Sequence, residues 1–459
     1  MKNNIYLVVF SIIFFACEKM ELVFPPDNQI LAEEALETTE DMQMFLNSCY
    51  DVLANTYNGT CQNIATLQAD NLEAPNANLD YLEVFNRNTI FFNGTIGSYY
   101  KEPYIAIYRS NFLIESIDLI SDITEEEKRR MLAEARFIRA LCHLDLVRLF
   151  AHPYGYTPDN SHPGIIIKTT TNPDPKPRNT VKEVYDFMTS ELEEIFTLLP
   201  ENNGGYASYY AARALLAKIY FQMNELQLSL EHTNVVVDGP FIMDDDSLFL
   251  DRFGNNASTE SIFSIVSTSN FDNRSGQFTS NYRSDINANP TFRASEELYS
   301  QAISFGSDED LRSAWFELKN VGSENQFVAI NKFNKEYFNI PLLHLTEMYL
   351  NRAEINARTG NIPAAVADIN IIRSRAYKTA AYLVDESIEE ENLIEIIENE
   401  RRLELCFEGD RIHYLRRKGA FYHQELLIRD ASWDCDGFLL QFPSTSQTAV
   451  FEPNPPGGC

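Results

Sequence analysis

The sequence predicts a mainly α-helical fold, built as a scaffold of helical hairpins with long loop-rich insertions and little β structure. Apolar residues recur at intervals of three and four over much of the chain, which is the spacing of one helix face. Thr124 and Thr180 each precede a glutamate by three residues, so they predict capping boxes at two helix starts. Two further helix patterns fold back on themselves around short turns. These three observations favour packed helix pairs as the core.

The first two helix patterns cover residues 31–54 and 98–120. Pro103 should lie near the first turn of the second helix, where the missing N–H of proline costs no hydrogen bond. The two capping boxes begin helices over 127–150 and 181–199, because each carries acidic residues where the helix dipole favours them. The intervening residues contain six prolines and predict a loop.

The two hairpins contain alanine at helical spacing, which permits close approach of neighbouring helices. Asn224 turns the first hairpin, and Gly360 and Asn361 turn the second. Their length, turns and alanine placement resemble tetratricopeptide (TPR) units, so a TPR-like helical-hairpin scaffold is expected. The paired segments are Tyr209–Met223 with Leu226–Val237, and Leu342–Thr359 with Ala364–Ala376.

Two irregular insertions interrupt the helices, at about 55–97 and 238–341. Gly and Asn punctuate the first insertion, and aromatic residues lie among its polar residues. In the second insertion, Ser261–Ser267 predicts a short strand. Residues 267–285 are polar with aromatic residues spaced through them, which predicts an exposed loop.

The charge of the chain limits its partners. The 459 residues carry a formal net charge of −30 at pH 7. This excess argues against a nucleic-acid partner, because its phosphates would be repelled. It also argues against an electrostatic attachment to anionic lipid, and it favours solubility at a surface.

The N-terminus has the pattern of an export signal. Lys2 supplies a positive charge, Ile5–Phe15 is apolar but too short to cross a bilayer as a helix, and a small residue precedes Cys17. This pattern resembles a bacterial lipobox. We expect residues 1–16 to be a lipoprotein signal peptide, Cys17 to carry acyl chains such as palmitate, and residues 17–28 to form a tether. The alternative is an ordinary signal peptide with an incidental cysteine.

The remaining cysteines form no CxxC pair, so they predict neither a zinc site nor a dense disulfide framework. Cys142 and Cys406 fall in apolar helix patterns and are expected to be buried thiols. The sequence leaves two bridges open, Cys49–Cys61 and Cys435–Cys459.

The motifs of common enzyme classes are not found in this sequence. It has no HExxH metal motif, no GxSxG nucleophile elbow and no Walker phosphate loop. Asp244–Asp246 and Asp434–Gly437 offer the oxygen ligands that calcium prefers, but each lacks a full set of ligands. We therefore expect a binding protein without catalytic residues, metal or cofactor, apart from the lipid on Cys17.

The densest charged motif is Asn399–Arg417, NERRLELCFEGDRIHYLRR. Such density on partly apolar helices favours paired, hydrogen-bonded ions, although exposed pairs worth under ~1 kcal/mol each are the alternative. The run closely resembles the ERRxELxFEGxRxxDLRR signature of the SusD/RagB family of nutrient-binding outer-membrane lipoproteins, with Tyr414 where Asp is usual. Ala133–Phe150, AEARFIRALCHLDLVRLF, also resembles the AEARFLRAxxYFxLVxxFG pattern of that family. We interpret the charged run as structural.

The resemblance implies one SusD-like domain over 29–459, with four TPR-like units as the scaffold and the insertions as the ligand-facing half. It pairs the helices over 31–54 and 98–120, and those over 127–150 and 181–199, in addition to the two hairpins. It implies a surface-exposed lipoprotein in the outer membrane of a Bacteroidota-like bacterium. Such a protein captures an oligosaccharide and delivers it to a SusC-like TonB-dependent transporter.

We expect the ligand to contact the loops at 55–97 and 267–285, because aromatic rings stack on sugar C–H surfaces while polar side chains bond the hydroxyls. Two alternatives remain. A chain with only 2 Trp also suits a peptide-binding, RagB-like uptake lipoprotein, and the hairpins suit a TPR-type protein-binding scaffold. The candidate ligand-binding residues are Tyr81, Phe92, Asn270, Phe271, Tyr282 and Arg283.

Overall fold

A computed structural model describes residues 36–244, 246–254, 258–306, 309–446 and 448–459. The predicted signal peptide, Cys17 and the tether lie outside these ranges, as do the first residues of the helix predicted over 31–54. Among the residues in these ranges, no helix combines the length and the apolar content needed to cross a bilayer.

Helices make up most of the described structure. The α-helices, in chain order, are α1 (Thr39–Thr56), α2 (Thr60–Gln68), α3 (Leu79–Phe85), α4 (Gly94–Ser116), α5 (Glu125–Phe150), α6 (Val181–Ile195), α7 (Tyr209–Met223), α8 (Leu226–Val237), α9 (Asp246–Leu250), α10 (Gly276–Tyr282), α11 (Glu296–Ala302), α12 (Leu345–Arg358), α13 (Ile362–Ala376), α14 (Glu390–Glu404) and α15 (Asp410–Phe421). Short 3-10 turns cover Ile117–Leu119, Phe196–Leu198, Leu311–Trp315, Ala380–Tyr382, Asp436–Phe438 and Ser444–Ser446.

The strands are short and form small antiparallel sheets. They are β1 (Leu72–Glu73), β2 (Ser261–Ile265), β3 (Arg293–Ala294), β4 (Phe316–Lys319), β5 (Phe327–Ile330), β6 (Ile340–His344), β7 (Leu427–Ile428) and β8 (Ala431–Ser432). One sheet has the order β1-β3-β5-β4, a second pairs β2 with β6, and a third pairs β7 with β8. The mainly α-helical fold with little β structure is therefore confirmed.

The scaffold consists of the helix pairs that the resemblance implied. Helix α1 packs on α4, α5 on α6, α7 on α8, and α12 on α13. Neighbouring pairs join where α4 contacts α5 and where α8 contacts α12. Ala212 and Ala353 have no exposed surface, and such small side chains let the helix axes approach closely. The TPR-like hairpin scaffold is the result.

The helix starts follow from side-chain caps. The capping boxes predicted at Thr124 and Thr180 are both present, and Thr38 forms a third one that begins α1 at Thr39. The prediction for Pro103 was wrong. Asn93 accepts a hydrogen bond from the Ile96 amide and begins α4 earlier than expected, so Pro103 lies inside the helix.

The insertions contain more regular structure than the sequence indicated. The segment 55–97 includes α2, β1 and α3, and the segment 267–285 includes α10. Helix α2 was missed because its buried positions include polar residues, which hide the apolar period. Two of these polar side chains find partners that are distant in sequence: Asn63 donates to the Gln277 carbonyl, and Gln68 donates to the Phe438 carbonyl.

The predicted strand at Ser261–Ser267 is present as β2, and its partner β6 occupies residues that were assigned to a helix. Helix α12 therefore begins at Leu345, not at Leu342. The Leu345 amide donates to the Glu260 carbonyl and continues the ladder up to the helix start.

The described cysteines are either buried free thiols or part of a disulfide, and the sequence predicted some of these states. Cys142 and Cys406 are buried free thiols, as predicted. Of the two bridges left open, Cys435–Cys459 forms, whereas Cys49 and Cys61 are free and buried. The bridge fastens the C-terminal tail, which also packs through Asn454, whose amide donates to the Phe150 and Leu440 carbonyls.

A cluster of buried ions joins the second insertion to the last helices of the scaffold. Glu404 on α14 accepts hydrogen bonds from Arg252 at 2.9 Å, from Arg312 at 3.1 Å and from Arg375 at 2.6 Å. Glu260 pairs with Arg252 and Arg375, both at 2.8 Å. We call this set the ionic core: Arg252, Glu260, Arg312, Arg375, Glu400 and Glu404.

The ionic core is almost fully shielded from water. The side chains of Arg312 and Glu404 have no exposed surface. Burial alone would raise the pKa of Glu260, but Arg252 and Arg375 outweigh it and lower the pKa to about 2. The charges of Arg252, Arg312 and Arg375 likewise lower the pKa of Glu404, so Glu260 and Glu404 stay charged at neutral pH. The buried pairing of Glu404 supports the structural interpretation of the charged run 399–417.

We expect Glu404→Gln to lower the free energy of unfolding by about 3–5 kcal/mol, because it leaves three buried guanidinium groups short of a carboxylate. Urea unfolding monitored by circular dichroism measures the loss. Asp186→Asn, which breaks the exposed Lys182–Asp186 pair on α6, is the matched control and should leave stability nearly unchanged. Equal effects of the two substitutions would contradict the structural importance of the ionic core.

Candidate functional site

The two segments expected to contact ligand meet at Gln277 of α10. The Gln277 amide donates to the Asn58 carbonyl at 3.1 Å, and the Asn63 side chain donates to the Gln277 carbonyl at 3.2 Å. The Tyr81 hydroxyl lies 3.4 Å from the Gln277 side-chain oxygen. Distant parts of the chain are thus fixed together, and we call the surface of segments 55–97 and 267–285 the loop face.

Two of the candidate residues fasten the loop face from inside. Tyr282 has no exposed surface, and Tyr81 is only 6% exposed. Both rings contact Phe292, with centroid distances of 5.3 Å and 5.2 Å. Burial raises the pKa of the Tyr282 hydroxyl well above its ordinary value. The expectation that these two rings contact a ligand is corrected: helix α10 turns Tyr282 and Phe278 into the aromatic core.

Phe271, in contrast, is fully exposed. It lies in a turn closed by the Asp272 amide, which donates to the Ser269 carbonyl at 3.1 Å. Next to it, the exposed Asn270 donates to Glu336 at 2.6 Å. The backbone beneath Phe271 is therefore held in place while its ring faces solvent.

A second exposed apolar element is the turn before α4. Phe92 is 72% exposed, and its neighbours Ile90 and Phe91 are each 45% exposed. The Asn93 amide closes the turn on the Ile90 carbonyl at 3.0 Å, and the Ser444 amide donates to the Phe91 carbonyl at 3.2 Å. Phe92 was predicted as a ligand-binding residue and its two apolar neighbours were not, although the run of three apolar residues between polar ones is visible in the sequence.

Arg283 is half-buried and already paired. Its guanidinium donates to Asp285 at 2.9 Å and 2.5 Å. These hydrogen bonds to the Asp285 carboxylate raise the pKa of Arg283. The charge of Arg283 is therefore already balanced by Asp285, and a ligand would meet an ion pair and not a free guanidinium. Its contact with ligand remains a prediction, as do those of Phe92, Asn270 and Phe271.

A cleft of about 540 Å³ lies beside the Phe271 turn and joins the loop face to the scaffold. Arg274 donates to Asp51 of α1 at 2.7 Å, and the Tyr206 hydroxyl donates to Asn47 at 3.0 Å. An aromatic ring with a guanidinium, a carboxylate and an amide nearby suits a hydroxyl-rich ligand. No pattern in the sequence brings these residues together, because they come from three distant segments.

Among the described residues, no group of three or more His, Cys, Asp or Glu side chains is arranged to hold a metal ion. Asp244, named for calcium, instead accepts hydrogen bonds from the Thr259 amide and hydroxyl, both at 2.8 Å. Asp436 lies 3.0 Å from His152. These oxygens serve local structure.

Comparison with known protein families identifies the fold. A SusD-like family model described as "Starch-binding associating with outer membrane" matches residues 26–221. A second model, SusD/RagB, described as "SusD family", matches residues 319–428. The chain belongs to the SusD/RagB family. The second range contains the charged run that resembles the family signature, and the first contains the Ala133–Phe150 motif.

Relatives in Formosa agariphila are similar to this SusD/RagB protein. SusD-like protein P25 is 26% identical over 240 residues, which are 50% of this chain and 44% of the relative. SusD-like protein P38 is 25% identical over 225 residues, which are 48% of this chain and 42% of the relative. This chain thus matches less than half the length of each of these two relatives. SusD-like protein P2 is 22% identical over 469 residues, 91% of this chain and 90% of the relative.

Solved structures show the same fold. A SusD superfamily protein from Bacteroides thetaiotaomicron superposes with a TM-score of 0.79 at 21% identity, covering 91% of this chain and all of that one. A SusD superfamily protein from Bacteroides vulgatus gives a TM-score of 0.80 at 22% identity, covering 92% and 99%. A "SusD-like carbohydrate binding protein" from Bacteroides vulgatus gives 0.71 at 19% identity, covering 83% and 84%.

We expect Tyr282→Ala to lower the free energy of unfolding by about 3–5 kcal/mol, because it removes a fully buried ring from the core. Phe271→Ala should leave stability unchanged, because the Phe271 ring has no buried surface to lose. Thermal and urea unfolding of the two variants measure the contrast. A stability loss for Phe271→Ala as large as that for Tyr282→Ala would show that the turn packs against the body.

Proposed function

We propose that this protein is a cell-surface nutrient-binding lipoprotein. It captures an oligosaccharide on the loop face and delivers it to a SusC-like TonB-dependent transporter in the outer membrane. The observation that carries the proposal is the display of exposed aromatic rings, Phe92 and Phe271, on backbones that are fixed by hydrogen bonds. Rings on such backbones can stack on sugar faces with little backbone ordering on binding.

The comparisons support the class of ligand. The family model that matches residues 26–221 is described as starch-binding and associating with the outer membrane. A protein of the same fold is described as carbohydrate binding. The cleft beside the Phe271 turn adds Asp51 and Arg274, whose polar groups suit sugar hydroxyls. We propose binding without catalysis.

The proposal extends to the ends of the chain. Residues 1–16 act as the signal peptide, Cys17 is acylated, residues 17–28 form the tether, and residues 29–459 fold as a single SusD-like domain. Several acyl chains on Cys17 hold the protein to the membrane, because a single chain binds only weakly and reversibly. The acidic body then remains soluble at the membrane surface.

We expect the mature chain, residues 17–459 with Cys17→Ser, to bind an oligosaccharide on a broad glycan array. Phe92→Ala and Phe271→Ala should each weaken the strongest interaction by about five- to tenfold in calorimetry, because each removes a stacking surface. Leu119→Ala, which truncates an apolar side chain that is 60% exposed outside the loop face, is the control and should bind as the parent does.

The glycan array and the variants distinguish a glycan ligand from a peptide ligand. Glycan binding that is lost in both Phe variants and kept in Leu119→Ala supports the proposal. An array without a single positive glycan would contradict oligosaccharide capture. Binding of a peptide library that depends on Phe92 and Phe271 would instead establish the peptide-binding, RagB-like alternative.

We expect radiolabelled palmitate to enter the protein when it is expressed in a bacterium of the Bacteroidota, and Cys17→Ser to abolish both the label and the recovery in the outer membrane. Cys49→Ala, which alters a buried thiol, is the matched control and should keep both. Retention of label in Cys17→Ser, or a cytosolic location of the parent, would refute the lipid anchor.

A further inference from the structure

A groove of about 530 Å³ lies between α4 and the loop 168–176, which belongs to the proline-containing connection between α5 and α6. Tyr100, Tyr104 and Tyr108 line it at a spacing of four residues, so they follow one face of α4. Tyr108 is 52% exposed. The volume of the groove falls within the usual range of ligand pockets, about 300–1,000 Å³.

The walls of the groove are fixed before any ligand binds. The Asn111 side chain on α4 donates to the carbonyls of Lys168 at 3.2 Å and Thr170 at 3.1 Å. The Thr171 amide donates to Glu115 at 2.9 Å. These bonds hold the loop against the helix, and a preformed groove needs little ordering when it is filled.

The lining of the groove is positively charged in a protein that is acidic as a whole, because three lysines line it against the single carboxylate of Asp174. Lys101, Lys168 and Lys176 line it, and none of them forms an ion pair with a carboxylate of the described residues. Lys378 is the one other described lysine without such a pair; the rest are paired. In a chain with a net charge of −30, three unpaired ammonium groups at one groove indicate an acidic occupant.

The ammonium of Lys168 is directed to the loop backbone, where it donates to the carbonyls of Asn172 at 3.4 Å and Asp174 at 3.0 Å. Burial and the nearby charge of Lys176 lower the pKa of Lys168. The nearby charge of Asp174 only partly offsets these two effects, so a further carboxylate at the groove would relieve the repulsion between the two cations.

The lining of the groove is mainly apolar and carries three lysines, which suits an acidic, partly apolar ligand better than a neutral sugar. Two of the hydroxyl groups in the lining are already used within the protein: the Tyr104 hydroxyl donates to the Ile166 carbonyl, and the Thr171 hydroxyl donates to Glu115. What remains accessible is mainly aromatic and aliphatic surface, from tyrosine rings together with Pro173 and Pro175. Such a groove takes apolar side chains, and its lysines take carboxylates.

We propose that this groove binds an extended peptide segment of a partner protein in which Asp or Glu side chains alternate with apolar ones. The apolar side chains rest on the tyrosine stripe of α4, and the carboxylates pair with Lys101 and Lys176. This interaction is separate from ligand capture on the loop face, because it uses different elements, and it does not rest on that function.

The test uses arrays of seven-residue peptides probed with the mature chain, residues 17–459 with Cys17→Ser. One library combines Asp or Glu with Leu, Ile, Phe, Val, Tyr and Pro; a second replaces the acids by Asn or Gln, and a third by Lys. We expect binding in the acidic library only, with affinity that falls as salt rises. For the best peptide, the double variant Lys101→Gln/Lys176→Gln should weaken binding by about five- to tenfold, and Tyr108→Ala should weaken it as well.

Lys378→Gln is the matched control, because it removes one unpaired, exposed lysine elsewhere and should leave the peptide affinity unchanged. Unfolding midpoints confirm that the variants stay folded. Equal signals from the three libraries, no signal at all, or equal losses in the double variant and Lys378→Gln would overturn the proposal. Binding of oligogalacturonate that is lost in the double variant, without any peptide binding, would overturn it in favour of an acidic glycan.

Discussion

The pairing of buried charges in the ionic core is the interaction on which the rest of the structure depends. The carboxylate of Glu404 on α14 pairs with three arginines from different parts of the chain. One lies before β2, one in the 3-10 turn at 311–315 and one on α13. A charge buried in this way is tolerated only when its partners are in place. The second insertion is therefore tied to the helical scaffold in one arrangement, and the surface that it carries has a fixed position.

The loop face combines a tightly packed aromatic interior with exposed aromatic rings on its surface. Tyr81, Tyr282 and Phe292 pack beneath it and join segments that lie far apart in the chain. Phe92 and Phe271 are displayed above this core at turns that hydrogen bonds close. Exposed rings on fixed turns cost solubility, which the large negative charge of the protein offsets. The groove along α4 is the opposite case, with local positive charge on an acidic body.

The sequence predicted the long helices well, because capping boxes and apolar periods are local signals. The hairpin at Tyr209–Val237 matches the structure at both ends. Helix α2 was missed because its buried polar side chains find partners that are distant in sequence. The prediction that 267–285 is an exposed loop was wrong at α10 for a related reason. This short helix turns Phe278 and Tyr282 inward, where both rings pack against Phe333, a residue distant in sequence.

The sequence by itself determined the helical scaffold, the family motifs and the need for paired ions, since each depends on residues close together in the chain. It also limited the bridges to Cys49–Cys61 or Cys435–Cys459. Only the tertiary structure decided which bridge formed, which candidate rings face solvent, and which lysines of the described ranges have no carboxylate partner. The physical reason is that burial and pairing depend on which distant segments pack together, and two aromatic residues in equally polar surroundings can therefore differ completely, as Phe271 and Tyr282 do.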